Sequence, residues 1–147
     1  MCNCKVFNHH FDFQHERRSI VTCSDRGSVT YKYNNESLDF ISKYKVDGGL
    51  ISDSSAKCDF LLLNCNRKYS FFIELKGSDI SRAIEQIDRS IDVLKDNLSG
   101  YYIFGRIVLT RDNTTKLPDL KIKKLERKLS SFNGNLIKRT RLLEETY

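Results

Sequence analysis

One long amphipathic segment between two apolar segments constrains the fold of this chain more than any other feature. Ser78 can cap a helix that runs to about Asn97, and Gly100 ends it. The apolar side chains of this helix recur at 3.6-residue spacing and form one stripe: Ile80, Ala83, Ile84, Ile87, Ile91, Leu94 and Leu98. Such a stripe must pack on an apolar surface. The helix lies between strand-like segments at 69–76 and 101–110, and this order predicts a right-handed parallel crossover within one sheet.

The other segments predict a mixed sheet with helices around it. Alternating or apolar runs and turn residues predict further elements, namely strands at 28–33, 46–51, 58–63 and 136–143 and helices at 35–43 and 118–132. A short turn joins the strand at 58–63 to the strand at 69–76, so the two should form a hairpin. The first 27 residues show no clear period. The element order predicts an α/β domain of three layers, in which helices flank a central mixed β-sheet (αβββαβ).

The composition excludes several classes of protein. The chain has 147 residues, of which 39% are hydrophobic, and a single Pro, so it is neither collagen-like nor disordered. It has no apolar run long enough for a membrane span and no apolar centre of a secretory signal at its start. Five cysteines without an export signal favour reduced thiols and a cytoplasmic location. We expect one domain over 1–147, with its core at about 35–110 and a basic helix–strand extension at 111–147.

The positive charge of the chain is concentrated in its last third. Lys and Arg number 25 against 19 Asp and Glu, and residues 106–147 hold 11 basic and 5 acidic side chains. A basic segment beside a neutral body indicates a polyanionic partner, nucleic acid rather than a membrane. The predicted helix at 118–132 carries cations on both sides of an apolar seam: Lys121, Lys123, Lys124, Arg127 and Lys128. A solvated basic helix that only aids solubility is the alternative that charge alone leaves open.

The segment with chemical potential is the strand that contains Glu74 and Lys76. Because side chains alternate along a strand, these two charges share one face. Asp59 stands at a comparable position on the preceding strand, and in a hairpin its carboxylate comes within reach of the same cation as that of Glu74. Two carboxylates are hard ligands that suit Mg²⁺ or Mn²⁺. An exposed ion pair between Glu74 and Lys76 is the structural alternative.

This arrangement resembles the PD-(D/E)xK nuclease superfamily, which includes many restriction endonucleases and the archaeal Holliday-junction resolvases. The resemblance covers about 35–110 and rests on the order helix, three strands, helix and strand. It also rests on the Asp of the second strand, Asp59, and on the Glu-x-Lys of the third, Glu74 and Lys76. Cys58 stands before the motif Asp where the family has Pro.

The resemblance implies a nuclease that hydrolyses phosphodiester bonds with a divalent cation. Asp59, Glu74 and the backbone carbonyl of Leu75 would bind Mg²⁺ or Mn²⁺, and Lys76 would stabilise the developing negative charge. The family favours DNA over RNA as substrate. Since the chain has little room for a recognition domain, we expect that it reads DNA structure, forms a homodimer or is recruited by a protein partner. The alternative is a catalytically silent module of the same fold that binds nucleic acid or a protein.

Several other residues are secondary candidates. Gln86 lies on the flank of the long helix, where a Gln recurs in relatives and could position a water or a phosphate, although a surface Gln is the default interpretation. Further acidic ligands could come from Glu36, Asp39 or Asp47, each of which also fits a solvated or turn position. A zinc site is a weaker hypothesis that would draw on Cys2, Cys4, His9, His10 and His15. We expect Cys23, Cys58 and Cys65 to be small buried hydrophobes, and Tyr101, Tyr102 and Phe104 to belong to the sheet core.

Overall fold

The computed structural model describes residues 2–25, 28–75, 79–111 and 119–147. This part of the chain holds nine strands, two α-helices and a short 3₁₀ helix at Lys95–Leu98. The strands are β1 (Phe11–Glu16), β2 (Ile20–Asp25), β3 (Val29–Asn34), β4 (Ile41–Lys45), β5 (Phe60–Asn64), β6 (Tyr69–Leu75), β7 (Tyr102–Leu109), β8 (Leu136–Thr140) and β9 (Leu142–Thr146). The helices are α1 (Ile80–Leu94) and α2 (Asp119–Ser131).

Six strands form the central mixed sheet in the order β1-β4-β5-β6-β7-β8. The pairs from β1 to β6 are antiparallel, whereas β6 with β7 and β7 with β8 are parallel. The predicted hairpin of β5 and β6 is confirmed. The predicted parallel crossover is confirmed as well, because α1 connects β6 to β7 and buries its apolar stripe on the sheet.

The second face of the central sheet is covered by another sheet. Strands β2, β3 and β9 pair in the order β2-β3-β9. The apolar core between the two sheets includes Tyr31 of β3 and Phe71 and Val108 of the central sheet. Both helices contribute to the core on the opposite face. The α/β class is confirmed, but the layers are helices, sheet and sheet, so the prediction that helices flank the sheet on both faces is wrong within the described residues.

The predicted helix at 35–43 does not form. Asn35 is buried, and its side chain holds a turn by accepting from the backbone N–H of Asp39 and donating to the carbonyls of Arg18 and Asp39. Leu38 has a positive φ of 50°, and β4 begins at Ile41. The Asn side chain therefore satisfies the backbone groups locally and competes with a helix.

Three other boundaries differ from the sequence prediction. The N-cap of α1 is Asp79, whose carboxylate accepts from the N–H of Arg82 at 3.0 Å, while Ser78 lies outside the described residues. Residues 46–50 form turns, with only an isolated bridge to Ile51, instead of a strand. The last predicted strand divides at Arg141, whose φ of 67° turns the chain out of the central sheet and into the second one.

A buried ion pair joins the two sheets. The guanidinium of Arg106 on β7 donates from Nε to Oε2 of Glu145 on β9 at 2.9 Å, and its side chain is 1% exposed. The same carboxylate oxygen accepts from the hydroxyl of Tyr31 at 2.7 Å, and Nη1 of Arg106 donates to Asn135. The charge is thus paired and hydrogen-bonded, as a buried charge requires.

The N-terminal segment is fixed to the central sheet by a disulfide between Cys4 and Cys65, whose Cα atoms are 5.2 Å apart. The expectation that all cysteines are reduced is therefore wrong for this pair. Cys23 and Cys58 are free and buried, as predicted, and Cys2 is free and partly buried. Neither described helix has the length and apolar character that crossing a membrane requires.

Candidate functional site

Asp59 lies directly before β5, where it bridges the ends of two neighbouring strands. Its N–H donates to the carbonyl of Ile73 at 3.0 Å, and its own carbonyl accepts from the N–H of Val46 at 2.9 Å. Oδ2 of Asp59 accepts from the N–H of Leu75 at 2.7 Å. The carboxylate of Asp59 is therefore held against the segment of β6 that carries Glu74.

Glu74 is fully buried on the helix-facing side of β6. Phe72 and Ile107 point into the helix-side core, and Glu74 follows Phe72 by two residues and lies opposite Ile107 in the parallel register. Burial raises the pKa of the Cys58 thiol, and the nearby charges of Glu74 and Asp59 raise it further. The sequence thus brings two carboxylates near one buried thiol at the ends of β5 and β6, as the hairpin predicts.

Gln86 on α1 faces the same end of the sheet. Its side chain is 5% exposed, so the default expectation of a surface Gln is wrong. Nε2 donates to the carbonyl of Lys57 at 3.2 Å, whereas Oε1 has no hydrogen-bond partner among the described residues. One turn further along, Ser90 accepts from the N–H of Cys58. The helix is therefore fastened to the two residues that precede Asp59.

Two clefts meet beside these residues. The helix-side cleft has a volume of about 490 Å³ and is bordered by the 54–57 loop and the first turns of α1, including Arg82 and Gln86. The sheet-side cleft has a volume of about 390 Å³ and is lined in part by Lys45 and Asp59. Asp47 lines both clefts, so it stands between them. Of the two central carboxylates, that of Asp59 lines the sheet-side cleft, while Glu74 is not among the described residues that line either one.

The donor set at this site fits a hard divalent cation. Asp59 and Glu74 offer carboxylate oxygens, and the resemblance implies the backbone carbonyl of Leu75 as a neutral third ligand. Mg²⁺ is typically held by one or two carboxylates and retains several waters, so a third protein carboxylate is not needed. Within the described ranges no three acidic side chains have ligand atoms that all lie within 4.8 Å of one another. Lys76 lies outside the described residues.

The basic residues of α2 divide into two groups. Lys121 pairs with Glu85 at 2.5 Å and Lys128 pairs with Asp88 and Asp92 at 2.6 Å, so both point toward α1. The remaining three cations of the predicted interface are exposed and form no ion pair with the described part of the chain: Lys123, Lys124 and Arg127. The cations that sequence analysis treated as one set therefore include two that stabilise the contact between the helices.

The other acidic candidates lie in different surroundings. Asp39 pairs with Arg67 at 2.9 Å and accepts from Asn64, which is a structural role, and Glu36 is exposed. Tyr101 and Phe104 are buried in the sheet as predicted, but Tyr102 is 42% exposed.

Sequence reasoning missed one cluster of potential ligand side chains. The sulfur atoms of Cys4 and Cys65 and the ring of His15 converge at the other end of the sheet. The sequence places Cys4 and His15 in one candidate zinc site, but Cys65 follows 61 residues after Cys4 and its pairing has no local signal.

Comparison of the chain with protein-family models, with curated proteins and with solved structures found no match.

Proposed function

We propose that this protein is a nuclease that uses Mg²⁺ or Mn²⁺ to hydrolyse phosphodiester bonds, with DNA as its substrate. One observation carries the proposal: the N–H of Asp59 donates to Ile73 and its carboxylate accepts from the N–H of Leu75, which holds the carboxylate beside the strand segment of Glu74. Two carboxylates at adjacent strand ends, one of them lining a cleft, are the arrangement that a cation between protein and phosphate requires.

The sheet around the pair supports the same proposal. Strands β4, β5 and β6 form an antiparallel meander, and α1 then crosses over to the parallel β7. This is the strand order that the resemblance to the PD-(D/E)xK superfamily implies. The departure is the other face, where β2, β3 and β9 stand in place of the expected first helix.

The residues of the chain would divide the work as follows. Asp59 and Glu74 would hold the cation, which would supply positive charge to polarise the phosphate and to lower the pKa of a water. The burial of Glu74 keeps bulk water from competing for its oxygens. Lys76 stabilises negative charge on the phosphate, and the amide of Gln86 orients a water or a phosphate oxygen from the wall of the helix-side cleft.

Nucleic acid would be held by charge rather than by base recognition. Lys123, Lys124 and Arg127 on α2 are the exposed cations of the proposed interface. If these three side chains neutralise phosphates, a plot of the logarithm of the binding constant for duplex DNA against the logarithm of the salt concentration should have a slope of about −0.9 per contact. A second copy of the chain or a recruiting protein would supply target selection.

The test is a cleavage panel on duplex, single-stranded and branched DNA and on RNA, with Mg²⁺, Mn²⁺ or chelator. We expect metal-dependent cleavage of DNA. Asp59→Asn, Glu74→Gln and Lys76→Ala should each lower the rate by about 100-fold or more, because each removes charge needed in the transition state. Glu16→Gln is the matched control, since Glu16 is an exposed carboxylate paired with Arg18 and lies away from the clefts.

Binding and melting measurements on the same variants separate the alternatives. Variants that keep wild-type DNA affinity and thermal stability but lose cleavage support the catalytic role. Absence of cleavage of every substrate by the wild-type protein, with DNA binding retained, would identify a catalytically silent module instead.

A further inference from the structure

Three potential metal ligands meet at the end of the sheet opposite to Asp59. Sγ of Cys4, Sγ of Cys65 and a ring nitrogen of His15 all lie within 4.8 Å of one another. Both cysteines are fully buried and His15 is partly buried. Nδ1 of His15 is 4.0 Å from the sulfur of Cys4. Two thiols and an imidazole are the ligands that zinc prefers in proteins.

The backbone of each ligand is anchored by bonds that do not involve the sulfurs. The carbonyl of Cys4 accepts from the hydroxyls of Ser42 and Tyr44, both at 3.0 Å. The N–H of His15 donates to Ser42 at 2.9 Å, and the N–H of Cys65 donates to a backbone carbonyl at 2.8 Å. These backbone bonds hold the three ligands in place in addition to the disulfide.

The orientation of the histidine ring is also fixed. The ring of His15 stacks on Phe40 with a centroid separation of 4.1 Å and an interplanar angle of 3°. A ring held in this way loses little rotational freedom when it binds a metal, which favours binding.

We propose that Cys4, Cys65 and His15 form a zinc site when the disulfide is reduced, with a water as the fourth ligand. In tetrahedral geometry with Zn–S bonds of about 2.3 Å, two thiolates lie about 3.8 Å apart, and a thiolate and an imidazole about 3.6 Å. A Cα separation of 5.2 Å and the present 4.0 Å between Cys4 and His15 require only side-chain rotation to reach these values.

The change between the two states balances as thiol–disulfide exchange. A dithiol reductant transfers two electrons and two protons to the Cys4–Cys65 disulfide and becomes a cyclic disulfide itself. Zinc then binds the two thiolates and displaces their two protons, so affinity decreases as the pH falls. In either state the N-terminal segment stays fastened to the end of β5.

The site is structural and separate from the proposed nuclease centre. Asp59 precedes β5 and Cys65 follows it, so the five residues of β5 lie between them and the two Cα atoms are six steps of extended chain apart, about 20 Å. Metal binding at the cysteines therefore tests this inference alone, whatever the result of the cleavage panel.

The experiment uses Co²⁺ as a spectroscopic probe on the full chain, reduced with a dithiol that is then removed under anaerobic conditions. We expect one equivalent of Co²⁺ with a thiolate-to-metal charge-transfer band, which Zn²⁺ displaces. The band should be absent in Cys4→Ser, in Cys65→Ser and in the oxidised wild-type protein. His15→Ala should weaken binding by at least the roughly 10–100-fold that loss of a ligand-supporting group costs.

His10→Ala and Cys23→Ala are the matched controls, since His10 is exposed and Cys23 is buried in the other core. Both should bind Co²⁺ as the wild type does. The oxidised wild-type protein is the control for misfolding of the variants, because it carries no substitution and differs from the reduced protein only in having the disulfide in place of the two thiols. Failure of the reduced protein to bind Co²⁺ or Zn²⁺, or an unchanged band in the Cys4 and Cys65 variants, would overturn the proposal.

Discussion

Removal of the carboxylate of Glu145 should destabilise the protein strongly. In Glu145→Ala, the guanidinium of Arg106 stays buried without its counter-ion, which typically costs about 3–5 kcal/mol. We take the lower end, about 3 kcal/mol, because Nη1 still donates to Asn135 and to the carbonyl of Gly105. The hydroxyl of Tyr31 also loses its acceptor, which adds about 1 kcal/mol.

The assay is urea unfolding followed by circular dichroism, together with thermal melting. A loss of about 3–4 kcal/mol corresponds to a decrease in Tm of about 6–16 °C for a domain of this size. Glu144→Ala is the matched control, since Glu144 lies on the same strand but faces solvent and pairs with Lys32. Its effect on the free energy of unfolding should be far smaller.

A double variant shows whether the loss of stability comes from leaving one buried charge without its partner. Replacement of both charges, Arg106→Met with Glu145→Leu, leaves no buried ion, so this variant should be more stable than Glu145→Ala alone. A loss below about 1 kcal/mol in Glu145→Ala would refute the argument, because Arg106 would then have found water or another partner.

Three further predictions concern stability and thiol chemistry. Burial raises the pKa of Cys23 to about 12 and that of Cys58 above its ordinary value, so both thiols should resist alkylation at pH 8 until the chain unfolds. Because thiols in the unfolded chain ionise near about pH 8.5, the stability that the two buried thiols contribute is complete below that pH and declines above it. Measurement of the free energy of unfolding at several pH values tests this decline. Gly134→Ala should lower the free energy of unfolding by about 2 kcal/mol or more, because the new Cβ would lie 1.7 Å from a carbonyl oxygen of β7. Gly100→Ala should lower it by about 1 kcal/mol, because only its positive φ of 81° is unfavourable for alanine. Urea unfolding of the two variants measures the difference. Lys128→Ala should lose about 0.5 kcal/mol, since its two aspartate partners are half exposed and solvent screens the pairs, and a larger loss would show that the contact of α1 with α2 depends on them.

The parts of the fold that sequence analysis predicted are those with a strong local period. The stripe from Ile80 to Leu98 and the apolar runs of β5, β6 and β7 are continuous, and each pattern fits only one element. The turn at Asn35 was misread because a capping Asn and a turn-forming Asn look alike in sequence. The second sheet was missed because β9 pairs with β3, and no local pattern reports a pairing between residues about 110 apart.

Sequence analysis could predict the part of the candidate site that depends on the register of the hairpin of β5 and β6. Alternation along β6 and the short turn after β5 bring Asp59 near Glu74, and both follow from the sequence. The burial of Gln86 depends on the angle at which α1 meets the sheet, and that angle is set by bonds to residues 57 and 58 that no sequence pattern encodes. The Cys4–Cys65 contact likewise depends on the pairing of β1 with β4 and of β4 with β5, which no local pattern encodes.

The parallel pairing of β3 with β9 has a consequence for how the chain acquires its structure. During synthesis, β2 and β3 emerge early but form only a two-stranded ribbon, which is marginal alone in water. The edge of β3 stays unpaired until Leu142–Thr146 has been made. Until then the apolar face of the ribbon and that of the central sheet have no complete cover, so a nascent chain that stalls before residue 142 should be prone to aggregation.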